Sequence, residues 1–278
     1  MESTLQGVFA CGAAVPLVHS VSDERMWPTS MSAMRESARV AAKNAATLDP
    51  SGFEKMGKVP FSQLLTVGDL SFGCTGLTLA AARRLFGENN VVSQTVHHVE
   101  PHVSVTAFAE RRSHLLLGAF AYGDGNASFS SLIALLATFI AMGASPERVL
   151  SVDFFGFASS KDWDVLHETA LLLNAALKEG EEAISSDRLA LWMAERRDFL
   201  WIDLSPAPDQ PKLPDKVMSM SVEQLRQKLR DIDAATPIVL SSQSGRTAML
   251  AHRMLRQNGF RDVYHLEGGP LSWASLQQ

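Results

Sequence analysis

The stretch from Pro237 to Trp273 constrains the fold of this 278-residue chain more than any other. An apolar strand over Ile238–Leu240 leads through a short polar loop, Ser241–Arg246, into a helix with apolar residues on one face. Gly259 ends this helix, and a second strand follows over Asp262–Leu266. A strand–loop–helix joint directs loop N–H groups and a helix N-terminus toward one point. The stretch therefore predicts an α/β unit suited to an anion or a thiolate.

The composition excludes several classes of protein. Hydrophobic residues make up 46% and charged residues 20%, which is typical of a globular chain with a sizeable core. A net charge of −5 without a basic stripe argues against nucleic acid as a partner. No apolar run approaches the roughly 20 residues that span a bilayer. The two cysteines, Cys11 and Cys74, exclude a disulfide scaffold and fit a reducing compartment, so we expect a cytoplasmic protein.

Apolar strands and helices alternate along most of the chain. This order predicts an α/β fold with a largely parallel sheet. A glycine and glutamates interrupt the pattern near Lys178–Ile184 and are typical of a linker. We therefore predict a first domain over residues 1–180 and a second over residues 184–278.

The second part resembles a rhodanese domain. Gly259–Trp273 (G-F-R-D-V-Y-H-L-E-G-G-P-L-S-W) is similar to the family's closing pattern G-F-x-x-V-x-x-L-x-G-G-x-x-x-W, and the strand ending in Asp203 matches another family strand. The family's active loop begins with a cysteine and contains an arginine, which here is Arg246. Counting back five residues gives Ser241, and sliding the loop by one gives Ser242. In either alignment a serine replaces the cysteine.

The resemblance implies sulfur-transfer chemistry that a serine cannot perform. Rhodanese domains carry sulfane sulfur as a cysteine persulfide, formed by a thiolate that loop amides stabilise. A serine hydroxyl is not appreciably ionised near neutral pH. Anion binding by the loop remains open, and its candidate residues are Ser242, Gln243, Ser244, Gly245, Arg246 and Thr247. A hydrolase using Ser241 would need a base such as His252 or His265, and the sequence gives neither a partner.

Segments of the first part resemble, in order, an E1-like adenylating domain of the ThiF/MoeB type, the type of molybdopterin-synthase sulfurylase. Arg35–Pro50 is similar to the family's helix ending in L-N-P, Asp69–Leu77 to its strand and turn D-L-V-x-D-C-T-D-N, and Gly118–Gly143 to G-V-L-G-P-L-V-G with its buried helix. The resemblance implies a partial Rossmann-like sheet. The family's ATP loop, turn carboxylates and zinc-binding cysteines are not retained, so we expect no ATP, zinc or other cofactor.

The two resemblances together imply a degenerate E1-like–rhodanese fusion. Relatives of this kind activate and thiolate a ubiquitin-like sulfur carrier, for molybdenum cofactor biosynthesis or tRNA thiolation, and they form homodimers. The sequence therefore predicts a binding or regulatory pseudoenzyme, with such a carrier as a partner and a homodimer as its assembly. A further possibility is that Met1 is not the true start and that a longer protein contains the ATP loop.

The alternative is an active sulfurtransferase or adenylyltransferase-related enzyme that uses Cys74 or the Ser241–Arg246 loop. Gly73–Gly76 reads as a turn before a helix over Leu77–Phe86. A helix N-terminus lowers the pKa of a thiol, so Cys74 is the candidate reactive thiol, with a buried structural cysteine as the other interpretation.

Two weaker patterns complete the candidates. His98, Glu100 and His102 would share one face of a continuous strand and could bind a metal, but Pro101 interrupts that strand. Gly123–Asn126 is a partial glycine pattern before a helix, and it is more typical of a turn than of a nucleotide loop.

Overall fold

The computed structural model describes residues 1–98, 102–124, 127–153, 162–178, 180, 182–205, 211–243 and 245–276. Within these ranges the chain forms two five-stranded sheets, one in each half, and a small two-stranded sheet near its N-terminus. The fold is mixed α/β, as the sequence predicts.

The strands of the first unit are β1 (Leu17–Val18), β2 (Arg25–Met26), β3 (Gln63–Val67), β4 (Leu70–Gly76), β5 (Val91–His98), β6 (Val103–Glu110) and β7 (Leu116–Asp124). Its helices are α1 (Met31–Ala45), α2 (Leu79–Phe86), α3 (Ala127–Ala141), α4 (Pro146–Leu150) and α5 (Asp162–Lys178). The small sheet pairs β1 with β2, and the larger one has the order β3-β4-β7-β6-β5.

The larger sheet of the first unit is antiparallel throughout, so the prediction of a partial Rossmann-like sheet is wrong. A turn of Gly68 and Asp69 joins β3 to β4, and residues 111–115 join β6 to β7. A parallel crossover needs a dozen or more residues, so these connections permit antiparallel pairing only. The residues predicted to form a turn around Cys74 lie inside β4.

One face of this sheet is covered and the other is partly open. Helices α3 and α5 bury one face in a core that includes Val105, Leu136 and Leu173. Because side chains alternate along a strand and paired residues share a face, the register places six large apolar side chains together on the opposite face. We call this surface the open face; its members, all exposed, are Leu65, Val67, Leu70, Phe72, Phe120 and Tyr122.

The strands of the second unit are β8 (Glu182–Ile184), β9 (Leu200–Asp203), β10 (Met218–Ser219), β11 (Ile238–Ser241) and β12 (Val263–Leu266). Its helices are α6 (Ser186–Ala194), α7 (Val222–Lys228), α8 (Arg246–Gln257) and α9 (Gly269–Ser275). All pairs in the sheet, of order β10-β9-β11-β12-β8, are parallel. The parallel sheet predicted from the sequence is thus present in this half of the chain.

The two units meet along β5, the edge strand of the first sheet. Gln94 Oε1 accepts a 3.0 Å hydrogen bond from His265 Nε2–H, and Thr95 donates to Glu267 over 3.2 Å. Met249 of α8 belongs to the core of the first unit. We call this contact region the unit junction. Among the described residues, no helix combines the length and apolar character needed to cross a bilayer.

Candidate anion-binding site

Ser241, the last residue of β11, has a structural role. Its hydroxyl donates to Asp203 Oδ1 over 2.7 Å, and the Trp201 indole N–H donates to Ser241 Oγ over 3.0 Å. Ser205 also donates to Asp203 Oδ1, over 3.0 Å. The side chains of Ser241, Asp203 and Trp201 are buried, and Ser241 and Asp203 are register partners in adjacent strands. The Ser241 side chain therefore links β11 to β9 by hydrogen bonds, and its hydroxyl is directed into the protein interior.

Ser242 lies where the loop meets the N-terminus of α8. It follows β11 directly, and its Oγ accepts the backbone N–H of Ala248 over 3.1 Å. Ala248 lies in the first turn of α8, whose N–H groups carry the positive end of the helix dipole. Of the two serines that the sequence left open, Ser242 is thus the one placed at the helix N-terminus. It is 2% exposed.

Gly245 fixes the shape of the loop where α8 begins. Its φ of +84° lies in the left-handed region that favours glycine. A Cβ atom at this residue would come within 2.8 Å of Leu172 Cδ1, on α5 of the first unit. The first unit therefore packs directly against the loop.

The rest of the loop supplies unused donors. Within the described part of the chain, the backbone N–H groups of Gln243, Arg246 and Thr247 donate to no protein acceptor. The side chain of Arg246 is exposed, so its charge is accessible to a ligand. Ser244, a further predicted residue, lies outside the described residues. Amide donors, a helix N-terminus and an arginine together suit a small oxyanion.

The double glycine of the closing motif supports the same loop. Gly268 and Gly269 have φ values of +70° and +59°. A Cβ atom at Gly269 would lie 2.2 Å from the carbonyl oxygen of Ser242, and one at Gly268 would lie 2.7 Å from His97 Nε2. The turn is therefore held between the candidate site and the first unit, and both positions exclude a side chain.

The two histidines considered as bases are engaged elsewhere. His252 Nε2 is hydrogen-bonded to the carbonyl of Val263 over 3.1 Å, and His265 Nε2 contacts Gln94 at the unit junction. Burial, with the nearby charge of His252, lowers the pKa of His265 to about 4. Since the Ser241 hydroxyl donates to Asp203, the geometry does not favour a serine hydrolase.

Cys74 differs from the prediction of a thiol at a helix N-terminus. It lies in β4, paired with Gln63 and Phe120. Burial raises the pKa of the Cys74 thiol, and a backbone hydrogen bond with Gln63 opposes this only in part. The residue lines a groove of about 1090 Å³ beside Phe72 and Phe120. The expectation of a lowered pKa is wrong, because the strand continues through the predicted turn.

The candidate metal ligands do not come together. His98 Nε2 lies 2.9 Å from Glu168 Oε2 on α5, and His102 is exposed. Glu100 lies outside the described residues, as do Gly125 and Asn126 of the partial glycine pattern. In the part of the chain that the structure describes, no three histidine, cysteine, aspartate or glutamate side chains are placed to hold a metal.

Comparisons with known proteins agree with the geometry of the second unit. Residues 204–276 match the family described as the rhodanese-like domain. The C-terminal unit is therefore a rhodanese-like domain, as the sequence predicted. A search of curated proteins gives no match to the chain.

Three solved structures are similar to most or part of this chain. A NAD-dependent persulfide reductase from A. fulgidus superposes with a TM-score of 0.79, at 20% identity, over 98% of this chain and 49% of that one. The reduced CoADR-RHD of Bacillus anthracis superposes with a TM-score of 0.76, at 16% identity, over 96% of this chain and 48% of that one. A pyridine nucleotide-disulfide family oxidoreductase from Enterococcus faecalis V583 gives 0.55, at 18% identity, over 64% and 42%.

These matches replace the E1-like interpretation of the first unit. At such identities the likeness establishes the fold alone, and the chain spans about half the length of the first two structures. The resemblance to ThiF/MoeB-type domains is wrong, because the first sheet is antiparallel and the similar structures belong to oxidoreductases. Short apolar segments in the right order were not specific enough to distinguish the two folds.

Proposed function

We propose that the chain is a sulfur-transfer-related binding module whose rhodanese-like loop holds a small oxyanion and carries no persulfide. The observation that carries this proposal is the position of Ser242, whose oxygen accepts an N–H in the first turn of α8. A hydroxyl there keeps the geometry of the thiolate position but supplies no nucleophilic sulfur.

The loop has the chemistry to hold such an anion. Unused N–H groups at the start of α8, the helix dipole and the charge of Arg246 all favour a negative group. Thiosulfate, sulfite and phosphate are all small anions that present several oxygen atoms around a central sulfur or phosphorus atom. Binding experiments that compare these anions would separate a sulfur-containing ligand from a general phosphate-type ligand.

The similar structures give this role a context. One of them is a NAD-dependent persulfide reductase, and this chain corresponds to about half of its length. A module that holds a sulfur oxyanion without accepting its sulfur would act as a binding or regulatory pseudoenzyme in chemistry of that type. The narrower predictions of a ubiquitin-like carrier, molybdenum cofactor biosynthesis and tRNA thiolation depended on the E1-like resemblance, and no observation now favours them.

The test is a gain of function at Ser242 in a background that carries both Cys11→Ala and Cys74→Ala, which removes the two natural thiols. After incubation with thiosulfate, we expect mass spectrometry to find no sulfur adduct on this background protein. Once Ser242→Cys is introduced, the thiolate should take the outer sulfur of thiosulfate as a persulfide and release sulfite, which adds one sulfur to the protein. Titration calorimetry should show that Arg246→Ala weakens thiosulfate binding by about tenfold, the loss of one charge-assisted contact.

Two results would contradict the proposal. If the natural loop bound none of the three anions, the binding role would be refuted. If the unmodified protein gained a sulfur on Cys74 and transferred it to cyanide, the alternative of an active sulfurtransferase would replace it. Ser205→Cys, beside the loop but hydrogen-bonded to Asp203, is the matched control that should gain no adduct.

A further inference from the structure

The end of β12 connects the candidate site to the first unit. Over four residues, His265 contacts Gln94, Glu267 accepts from Thr95, and Gly268 packs on the imidazole of His97. Gln94 lies on one face of β5, and Thr95 and His97 lie on the other, so the contacts hold the edge of the first sheet from both faces.

The same turn bears on the loop. Gly269 follows Glu267 by two residues and leaves no room for a Cβ atom beside the carbonyl oxygen of Ser242. The backbone N–H of Glu267 donates to Ile184 over 3.0 Å, which fixes the start of the turn on β8. A displacement of Glu267 would therefore be transmitted to Ser242 through two rigidly packed glycines.

The carboxyl group of Glu267 is enclosed at the unit junction, although the residue as a whole keeps some exposed surface. Thr95 donates to its Oε1, and the Thr95 hydroxyl is itself 2.8 Å from that of Thr106. Ser93 supplies a second side-chain hydrogen bond. Neutral hydroxyls thus line the group where β5 and β6 pack against it.

Among the residues that the structure describes, few charges face this carboxyl group. Arg83 of α2 contributes an attraction, but its guanidinium lies 3.2 Å from Glu88. His97 on β5 and His265 on β12 are the neighbouring titratable side chains, and burial lowers the pKa of each to about 4. Both imidazoles are therefore neutral near pH 7. Helix α9, which follows the turn, carries no charged side chain.

We propose that Glu267 is a pH-sensitive latch, which in its protonated form holds the closing turn and the anion loop against the first unit and in its ionised form releases them. This inference builds on the proposed anion site and names its regulation. The hydrogen bonds from Ser93 and Thr95 favour the ionised carboxylate in part, but burial opposes them and favours the protonated form. Within the described part of the chain, an ionised Glu267 in this enclosure has no dedicated counter-ion.

The direction of the pH effect follows from burial, which raises the pKa of Glu267 above its usual 4.5. A raised pKa means that the closed junction binds the proton more tightly than the open one. The junction is then most stable below the usual pKa of 4.5 and loses stability as the pH rises through the raised pKa. As the pH rises from below the usual pKa to above the raised pKa, the equilibrium constant for closing the junction falls. The total factor is the ratio of the acid dissociation constant of Glu267 in the open form to that in the closed form.

Hydrogen exchange measured across a pH series, and corrected for the intrinsic exchange rate, tests this latch. In the natural protein we expect protection of Val263–Ser275 and of β5 to fall by about tenfold or more as the pH rises and Glu267 ionises. Glu267→Gln, which has the same shape but no titrating proton, should keep its protection across the series. Arg83→Gln should move the transition to higher pH, because it removes the attraction that favours the ionised form.

Glu168→Gln is the matched control, since this carboxyl contacts His98 on β5 but belongs to the first unit. It should retain the pH dependence of the natural protein. The latch is refuted if Glu267→Gln loses protection with rising pH as the natural protein does. Failure of anion binding at every pH, with the exchange pattern intact, would refute the proposed function and leave the latch in place.

Discussion

The two five-stranded sheets of this chain differ in how much of their strands is exposed to solvent. The second is parallel, and its strand β11 is fully buried. The first is antiparallel, and its edge strand β3 is exposed along its whole length. Parallel connections place helices on both faces of a sheet, whereas antiparallel hairpins leave one face uncovered. We therefore expect the second unit to bind at loops on its strand ends and the first unit to bind on a sheet face.

The loop end of the second unit should be the more sensitive to small changes. A Cβ atom at Gly269 would lie 2.2 Å from the Ser242 carbonyl oxygen, at a φ of +59°. Gly269→Ala must therefore move the backbone, and we expect urea denaturation to show a loss of at least about 3 kcal/mol. Gly259 also has a positive φ, of +92°, but open space around it, so Gly259→Ala should cost only about 1–2 kcal/mol. Equal losses would show that the loop contact is not rigid.

Alanine substitutions of the adjacent Ser241 and Ser242 should affect protein stability and anion binding separately. Ser241→Ala removes a partner from buried Asp203 and Trp201, so we expect a loss of about 2 kcal/mol in the free energy of unfolding. Ser242→Ala removes one acceptor for the Ala248 N–H and should cost about 1 kcal/mol or less. Titration with thiosulfate should show weaker binding for Ser242→Ala alone. The assignment fails if Ser241→Ala weakens binding more.

The open face of the first unit should govern assembly and leave stability nearly unchanged. None of its six side chains is charged, and Asp124, the register partner of Leu70, lies at one end of the face. We expect two copies to form a homodimer by packing these apolar side chains face to face. Phe72→Lys, 45% exposed in one copy, should weaken dimerisation in sedimentation equilibrium by tenfold or more. Leu250→Lys, on the exposed side of α8, is the control. A natural protein that stays monomeric at high concentration would exclude this assembly.

The second unit could be predicted from the sequence because its signals are local. The glycines at 259, 268 and 269 occupy backbone conformations that other residues rarely adopt, so the motif constrains the turns directly. The Ser241–Arg246 loop is bounded by a strand and a helix with clear periodicity, and the structure contains both. The hydrogen bonds of the structure then distinguish Ser241, which is bonded to Asp203, from Ser242, which lies at the helix N-terminus.

The sequence of the first unit does not distinguish a parallel from an antiparallel sheet, for a physical reason. Buried strands rich in β-branched residues look alike whether their neighbours are parallel or antiparallel. The short connections at Gly68-Asp69 and residues 111–115 were the signal that could have excluded a parallel sheet. The same misassignment affects Cys74. A turn before a helix would lower the pKa of its thiol, whereas burial in the continuing strand raises it.

By itself, the sequence determined the rhodanese-like fold of the second unit and the absence of a cysteine from its loop. Both depend on residue types at fixed local spacing. Tertiary structure decided which serine faces the helix N-terminus, how the first sheet is paired, and that Glu267 lies enclosed against Thr95. Those outcomes depend on contacts between residues far apart in the chain, such as Thr95 and Glu267. No local pattern encodes such contacts, because their free energy arises from burial and hydrogen bonds that exist only once both units have folded together.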